Sequence, residues 1–257
     1  MNRTALTIAL TVGLVAGLIC AVDPQLDLDL AGMAYNPVRD LFAVNAQPWV
    51  QYTREAARGI ITLLVLPAFI AILGKLILPR RRMLIGGRAA LFLIATLALG
   101  PGLLTNLILK DHWHRARPID VQQFGGRYHF TPWWDPRGDC PNNCSFIAGE
   151  PSGAFWTLAP AALAPPELRA VAYGAAIAFG AGIGALRIGA GAHFFSDVVF
   201  AGVFMYLLIW TMHGLTYRWP MTRLDEESID RMLTQCGEAL RDMLAKLGAR
   251  FGAKRPL

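Results

Sequence analysis

Six stretches of this sequence carry so few charges that water is a poor solvent for them: Thr4–Val22, Gly59–Leu78, Arg88–Leu109, Pro151–Pro165, Ala170–Leu186 and Phe194–His213. Most are close to the ~20 residues that cross a bilayer, where every N–H and C=O must be satisfied within the segment. The expected fold is therefore all-α, a polytopic membrane protein built as a bundle of six transmembrane helices. Composition agrees, with 54% hydrophobic residues, 16% charged residues and a mean hydropathy of +0.40, against roughly 25% charged in ordinary soluble domains. The fourth stretch is short and carries Pro160, so it is expected to begin earlier, tilt or kink. The first follows Arg3 as a secretory signal does, but Val22-Asp23-Pro24 offers no small-residue cleavage site, and an uncleaved span is expected.

The basic residues orient the chain. Arg80, Arg81, Arg82 and Arg88 crowd the connection between the second and third spans, Arg169 lies between the fourth and fifth, and the tail after the sixth is rich in Lys and Arg. Those segments are expected to be cytoplasmic. Asp23–Arg58, Asp111–Glu150 and the stretch from Arg187 to His193 then share the external face. The net charge of +6 follows from this topology and from anionic lipid, so the bilayer is the expected partner and no nucleic-acid partner is inferred.

Of the four cysteines, Cys20 falls in the first span and Cys236 in the tail, whereas Cys140 and Cys144 share an external loop. A disulfide between them suits an oxidising compartment. A metal site would need His112, His114 or His129, which lack a zinc-type spacing, and none is expected. Residues 1–221 read as the membrane domain and 222–257 as a cytoplasmic amphipathic helix with a basic tail. That helix is expected over Thr222–Arg250, opening with a Thr222-x-x-Asp225 cap and carrying Ile229, Met232, Leu233, Cys236, Leu240, Met243, Leu244 and Leu247 on one stripe. It suits either the inner membrane surface or another subunit.

Three external segments carry ionisable groups. "KDHWHRARP" supplies Lys110, Arg115 and Arg117 at the end of the third span, where basic residues also serve simply to snorkel. "RIGAGAHFFSD" supplies Arg187, His193 and Asp197, and the spacing of four lets the Asp197 carboxylate reach the His193 imidazole and fix its tautomer. Gly149-Glu150-Pro151 opens the fourth span, where an acid suits the helix dipole and Pro the first turn. Together, three cations and free N–H groups make an anion site whose guanidinium forks match a tetrahedral phosphate, with a histidine nucleophile beside it.

Lys110-x6-Arg117-Pro118 and Arg187-x5-His193-x3-Asp197 resemble, in spacing and chain order, the first and third signatures of the type 2 phosphatidic acid phosphatase superfamily, six-helix membrane enzymes that hydrolyse phosphates on lipids. The resemblance spans Leu91 to Trp210. It implies that His193 attacks phosphorus and forms a phosphohistidine, that Asp197 orients it, and that Lys110, Arg117 and Arg187 hold the phosphoryl oxygens. No metal or cofactor is implied.

Two departures stand out. Leu186 occupies the place of the usual Ser before the third-signature Arg. The second signature, usually Pro-Ser-Gly-His, aligns in two ways. In the favoured register Ile147-Ala148-Gly149-Glu150 takes its place behind Ser145-Phe146, so that Ala148 and Gly149 line the phosphate and Glu150 stands where the leaving-group acid normally stands. In the other, Pro151-Ser152-Gly153 matches and Ala154 replaces the histidine. A bound phosphate would raise the Glu150 pKa and the nearby cations would lower it; capping the helix or pairing with an arginine is the simpler role.

Gly149-Glu150, the "NCSF" lead-in, "FGG" and Pro-x-Leu-Asp-Leu further resemble the bacterial lipid A 4'-phosphatase branch. That likeness implies an inner-membrane enzyme facing the periplasm with lipid A as substrate. Undecaprenyl diphosphate and phosphatidylglycerophosphate would use the same groups, and a non-catalytic lipid-phosphate binding or transport protein is the alternative of another class. In the loop, Trp113, Trp133 and Trp134 lie near Phe124, Tyr128 and Phe130; they suit either a sugar headgroup or an interfacial aromatic belt.

Overall fold

The computed structural model describes the backbone of residues 3–252 and side chains as far as residue 247. The last part of the expected basic tail, 253–257, lies outside the described residues. In chain order the elements are α1 (Arg3–Val22), α2 (Gln25–Gly32), the paired two-residue strands β1 (Tyr35–Asn36) and β2 (Leu41–Phe42), α3 (Pro48–Ile77), α4 (Gly87–His112), α5 (Gly149–Phe155), α6 (Leu158–Ala162), α7 (Pro166–Gly189), α8 (Phe195–Arg218) and α9 (Glu226–Gly252). Among the described residues α1, α3, α4, α7 and α8 are long and apolar enough to cross a membrane. The protein is an all-α polytopic membrane protein.

The fourth expected span is the exception in form. It starts at Gly149 and breaks at Trp156-Thr157 into α5 and α6. Pro160 explains the break: its ring collides with the carbonyl four residues back, that of Trp156. The interrupted backbone is re-satisfied locally, since the Ala154 carbonyl accepts from the Thr157 N–H (3.1 Å) and from Thr157 Oγ1 (2.6 Å), while the Trp156 indole anchors the break by donating to Thr96 (3.0 Å). Pro151 to Phe155 are buried, so α5 is a core element rather than a lipid-facing rod. Gly180 of α7 permits this approach, because a Cβ there would sit 2.2 Å from the Phe155 ring.

The expected external segment Asp23–Arg58 also differs. α3 begins at Pro48, a residue suited to a first turn, and winds for almost three turns before its apolar part starts. This places Arg54 and Arg58 one turn apart on a single helix. Above the spans, Leu28, Phe42, Val121, Phe124, Cys140, Cys144 and Phe194 form a small core of their own, and Cys140 and Cys144 are bonded with their Cα atoms 5.9 Å apart.

By contact the described chain forms two units. One runs to Thr62 and resumes over Ala95–Met212; the other comprises Leu63–Ile94 and the chain from His213. In the second unit α9 begins at Glu226 and not at Thr222, because Asp225 is the cap: its carboxylate accepts the Ser228 N–H at 2.9 Å. Ile229 and Leu233 are buried, Asp230 pairs with Lys75 at 2.8 Å, and Glu226 accepts the Gly87 and Arg88 N–H groups at the start of α4. Ile229 and Leu233 thus dock on the ends of the chain's own helices, whereas Met232, Cys236, Met243, Leu244 and Leu247 of the same stripe are exposed.

Candidate active site

The first unit brings Lys110, Arg117, Glu150, Arg187, His193 and Asp197 together. Local geometry starts with the turn between α7 and α8. Gly191 takes φ +68°, a value that costs glycine little, and the chain reverses so that Arg187 ends α7 while His193 lies just ahead of α8. Asp197, in the first turn of α8, reaches back to the Phe194 N–H at 2.9 Å, the reciprocal half of a capping box. His193 is 2% exposed.

The partner of His193 is not the one expected from the i, i+4 spacing. Its Nδ1 lies 2.9 Å from the Ser145 main-chain oxygen and 3.9 Å from the nearer Asp197 oxygen. A carbonyl only accepts, so Nδ1 carries the proton and Nε2 keeps its lone pair. Asp197 instead accepts from Ser145 Oγ, from the Phe194 N–H and from Arg115; it holds Ser145, and Ser145 holds the imidazole. Burial, and after it the charges of Arg117, Arg187 and Lys110, hold the His193 pKa well below the usual histidine value. The ring is a neutral base.

Asn143 joins two of the expected phosphate ligands. Its side-chain oxygen accepts from Lys110 Nζ (3.2 Å) and Arg117 Nη2 (2.8 Å), and its carbonyl accepts Arg117 Nη2 at 2.9 Å. Burial, followed among the opposing charges by that of Arg54, lowers the Arg117 pKa against the pull of Asp120 and Glu150. Gly149 faces the same place, since a Cβ there would meet Lys110 Nζ at 3.1 Å. Ala148 does not match its expected role: its N–H is directed to the Asp197 carbonyl at 3.4 Å and its side chain is buried, so it offers a phosphate nothing.

Glu150 sits among three arginines. Arg54 Nε bridges both carboxylate oxygens at 2.9 and 3.0 Å, Arg58 lies at 3.4 Å, and Arg187 Nε approaches to 3.1 Å. Burial pushes the carboxyl pKa up, but the Arg54 hydrogen bond and the charges of Arg187, Arg54 and Arg58 outweigh it and leave it below the usual range. The balance left open by the sequence is settled for the ligand-free site: Glu150 is ionised. A cleft of about 240 Å³ opens here, lined by the charged Arg54, Arg58, Lys110 and Glu150 and by Ala57, Ile61, Gly153 and Ile183.

Ala154 is wholly buried against Ala57, Ile183 and Phe179, which leaves no water-facing place for a histidine. Trp113 and Trp133 also depart from the headgroup role. Trp113 stacks on Phe146 (4.7 Å between centroids) and donates to the Trp133 carbonyl, while Trp133 packs on Phe200 (4.4 Å) and donates to Gly17 of α1. They tie the loop to the spans, and Trp134 is the exposed one of the three. Arg54, Arg58 and Asn143 were missed in the sequence. The one signal available was the absence of a helix breaker between Pro48 and the apolar run, which carries α3 through both arginines.

The PAP2 superfamily model matches residues 89–223. A lipid A 4'-phosphatase of Francisella tularensis subsp. novicida is 38% identical over 197 residues, covering 76% of this chain and 88% of that protein. A lipid A 4'-phosphatase of Rhizobium leguminosarum is 41% identical over 106 residues, 41% of this chain and 46% of that protein. Among solved structures, a PAP2-type phosphatidylglycerolphosphate phosphatase from Bacillus subtilis aligns over 81% of this chain and 94% of its own with 21% identity and a TM-score of 0.48. On the family match and the extent of the Francisella similarity, the chain belongs to the PAP2 superfamily, as a membrane-embedded phosphoric ester hydrolase.

Proposed function

We propose that the protein removes the 4'-phosphate of lipid A through a phosphohistidine on His193, with its site on the periplasmic side of a bacterial inner membrane. The observation that carries the chemistry is the buried His193 ring, its Nδ1 proton committed to Ser145 and the ring held neutral by burial and by the charges of Arg117, Arg187 and Lys110. The likeness to the Francisella enzyme supports the substrate. The cleft, lined by charged and apolar residues together, suits a lipid phosphate better than a soluble one. The basic linker Arg80–Arg82 follows the end of α3, and basic loops stay in the cytoplasm; a disulfide in the site-bearing loop fits an oxidising compartment.

In the proposed reaction Lys110, Arg117 and Arg187 hold the phosphoryl oxygens and Nε2 donates its lone pair to phosphorus. The P–O bond to the headgroup breaks, its electron pair staying on the headgroup oxygen. That oxygen needs a proton, and Glu150 supplies it. Phosphate binding takes Arg187 from Glu150 and places a second anion beside it; both changes raise the carboxyl pKa and let it take up a proton from solvent. Water then attacks the phosphohistidine and gives its proton back to Glu150. The N–P bond breaks, inorganic phosphate leaves, and the imidazole returns with its Nδ1 proton unmoved.

The test is phosphate release by the purified protein from lipid A, undecaprenyl diphosphate and phosphatidylglycerophosphate, with mass spectrometry locating the group lost. Loss at the 4' position of lipid A is expected. Release from another lipid alone would replace the substrate, and tight binding with no release from any would mark a binding protein.

A further inference from the structure

Asp27 lies in α2, more than sixty residues ahead of the matched PAP2 region, and yet it is 1% exposed. An isolated buried carboxylate is costly, and one this deep requires partners. Asp27 has two. Its Oδ1 accepts the Ser196 N–H at 2.9 Å and its Oδ2 accepts Arg115 Nη2 at 2.8 Å, with the Ser196 hydroxyl as a further donor. Arg115, completely buried, donates onward from Nη1 to Ser196 Oγ (2.8 Å) and to Asp197, and from Nε to the Thr131 carbonyl (2.9 Å). Its guanidinium rests 4.3 Å from the Phe194 ring centroid.

The relay ends on Ser145. The Arg115 main-chain oxygen accepts the Ser145 N–H at 2.7 Å, Asp197 accepts the Ser145 hydroxyl, and the Ser145 carbonyl accepts the His193 Nδ1 proton at 2.9 Å. Ser145 is therefore gripped at its nitrogen, its side chain and its oxygen. Two of these three grips pass through Arg115 or its ion-pair partner Asp197.

We infer that Asp27 is a positioning residue for the nucleophile, acting through Arg115, Asp197 and Ser145 to fix the tautomer and aim of His193. Neither Asp27 nor Arg115 touches the phosphoryl group. Removing the Asp27 charge leaves Arg115 balanced by Asp197 alone, which draws Asp197 toward the guanidinium and off the Ser145 hydroxyl. The Ser145 carbonyl then loosens its hold on Nδ1, and the fraction of molecules with Nε2 aimed at phosphorus falls. Substrate affinity, set by the cations and the cleft, stays as it was.

The inference rests on the phosphatase reading, and its test separates the two. Asp27→Asn keeps shape and removes charge. Full-length wild type, Asp27→Asn, Ser145→Ala and the double variant are assayed for phosphate release from lipid A in detergent micelles, with the folded fraction taken from thermal unfolding. Asp27→Asn is expected to lower kcat at least tenfold per folded molecule with KM within twofold, and the double variant to be no slower than the slower single, because both changes break one chain. In parallel, proteins labelled with 15N-histidine, the His193 signals being assigned by difference from His193→Gln, report the ring directly. Wild type is expected to show one Nδ1-protonated neutral ring and Asp27→Asn a mixture of tautomers. A wild type that releases no phosphate from any lipid would end the phosphatase reading, and the nitrogen signals would still decide this one. Unaltered His193 signals in Asp27→Asn, a kcat loss explained by the unfolded fraction, or singles whose effects multiply in the double variant would each overturn it.

Discussion

His193 gives its Nδ1 proton to the main-chain oxygen of Ser145, 2.9 Å away, while the Asp197 carboxylate stands at 3.9 Å and spends itself on Ser145, Phe194 and Arg115. The tautomer therefore survives changes at Asp197 that keep Ser145 in place. His193→Ala is expected to abolish turnover and the phosphoenzyme. Asp197→Asn removes the charge facing a fully buried Arg115, and breaking a buried pair costs about 3–5 kcal/mol; the expected defects are a lowered unfolding temperature and, because Asp197 is the link that holds the Ser145 hydroxyl, a loss of kcat per folded molecule at least as large as that of Asp27→Asn. Phosphoenzyme trapping with 32P-labelled lipid, beside calorimetry, checks both. A fully stable Asp197→Asn enzyme with no turnover would return Asp197 to direct contact with the ring.

Glu150→Gln tests the leaving-group proton. A general acid contributes roughly 10²–10⁴-fold, so kcat is expected to fall by about a hundredfold or more with KM little changed. Gln retains a hydrogen bond to Arg54, and a purely structural Glu150 would leave the turnover of the folded enzyme close to normal.

The two ionisations give the pH profile its form. Because the His193 pKa is held well below 6.5, the imidazole imposes no acid limb near that pH, and because Glu150 is ionised in the free protein and takes up its proton only with phosphate bound, kcat/KM is expected to rise as pH falls through 6.5. The kcat profile, which reports the complex, is expected to decline on the alkaline side as Glu150 loses its proton, and that limb should vanish in Glu150→Gln. For stability the sign is fixed by the depressed His193 value: the neutral buried ring contributes fully above the unfolded pKa of about 6.5, and that contribution is lost as pH falls toward the folded value.

Ala154→His is expected to lower stability and give no activity. The new ring would lie against Ala57, Ile183 and Phe179, and burying an unpaired polar group costs about 1–3 kcal/mol. Activation by this change would move the second signature to Pro151-Ser152-Gly153 and leave Glu150 as a cap.

Orientation is checked by labelling. In a Cys236→Ser background, Arg137→Cys in the site-bearing loop is expected to react with an impermeant maleimide in spheroplasts, and Leu84→Cys in the basic linker only after lysis. The reverse pattern would put the site on the cytoplasmic side.

Sequence alone determined the apolar helices and the family, and it put Lys110, Arg117, Arg187 and His193 forward as the candidate site. These depend on hydropathy and on spacings within single short segments, which the chain carries whatever its partners. It misplaced the start of α3, because apolarity begins at Gly59 while the helix needs only an uninterrupted run from Pro48. Tertiary structure alone decided the chemistry of the groups: that Glu150 is ionised, that Ser145 and not Asp197 holds His193, and that Asp27 stands behind both. Charge state and tautomer are set by whatever lies within a few ångströms in space. Here those neighbours come from far along the chain, Arg54 lying 96 residues from Glu150, Ser145 lying 48 from His193 and Asp27 lying 169 from Ser196, and only the packing of α2, α3, α5 and α8 brings them together.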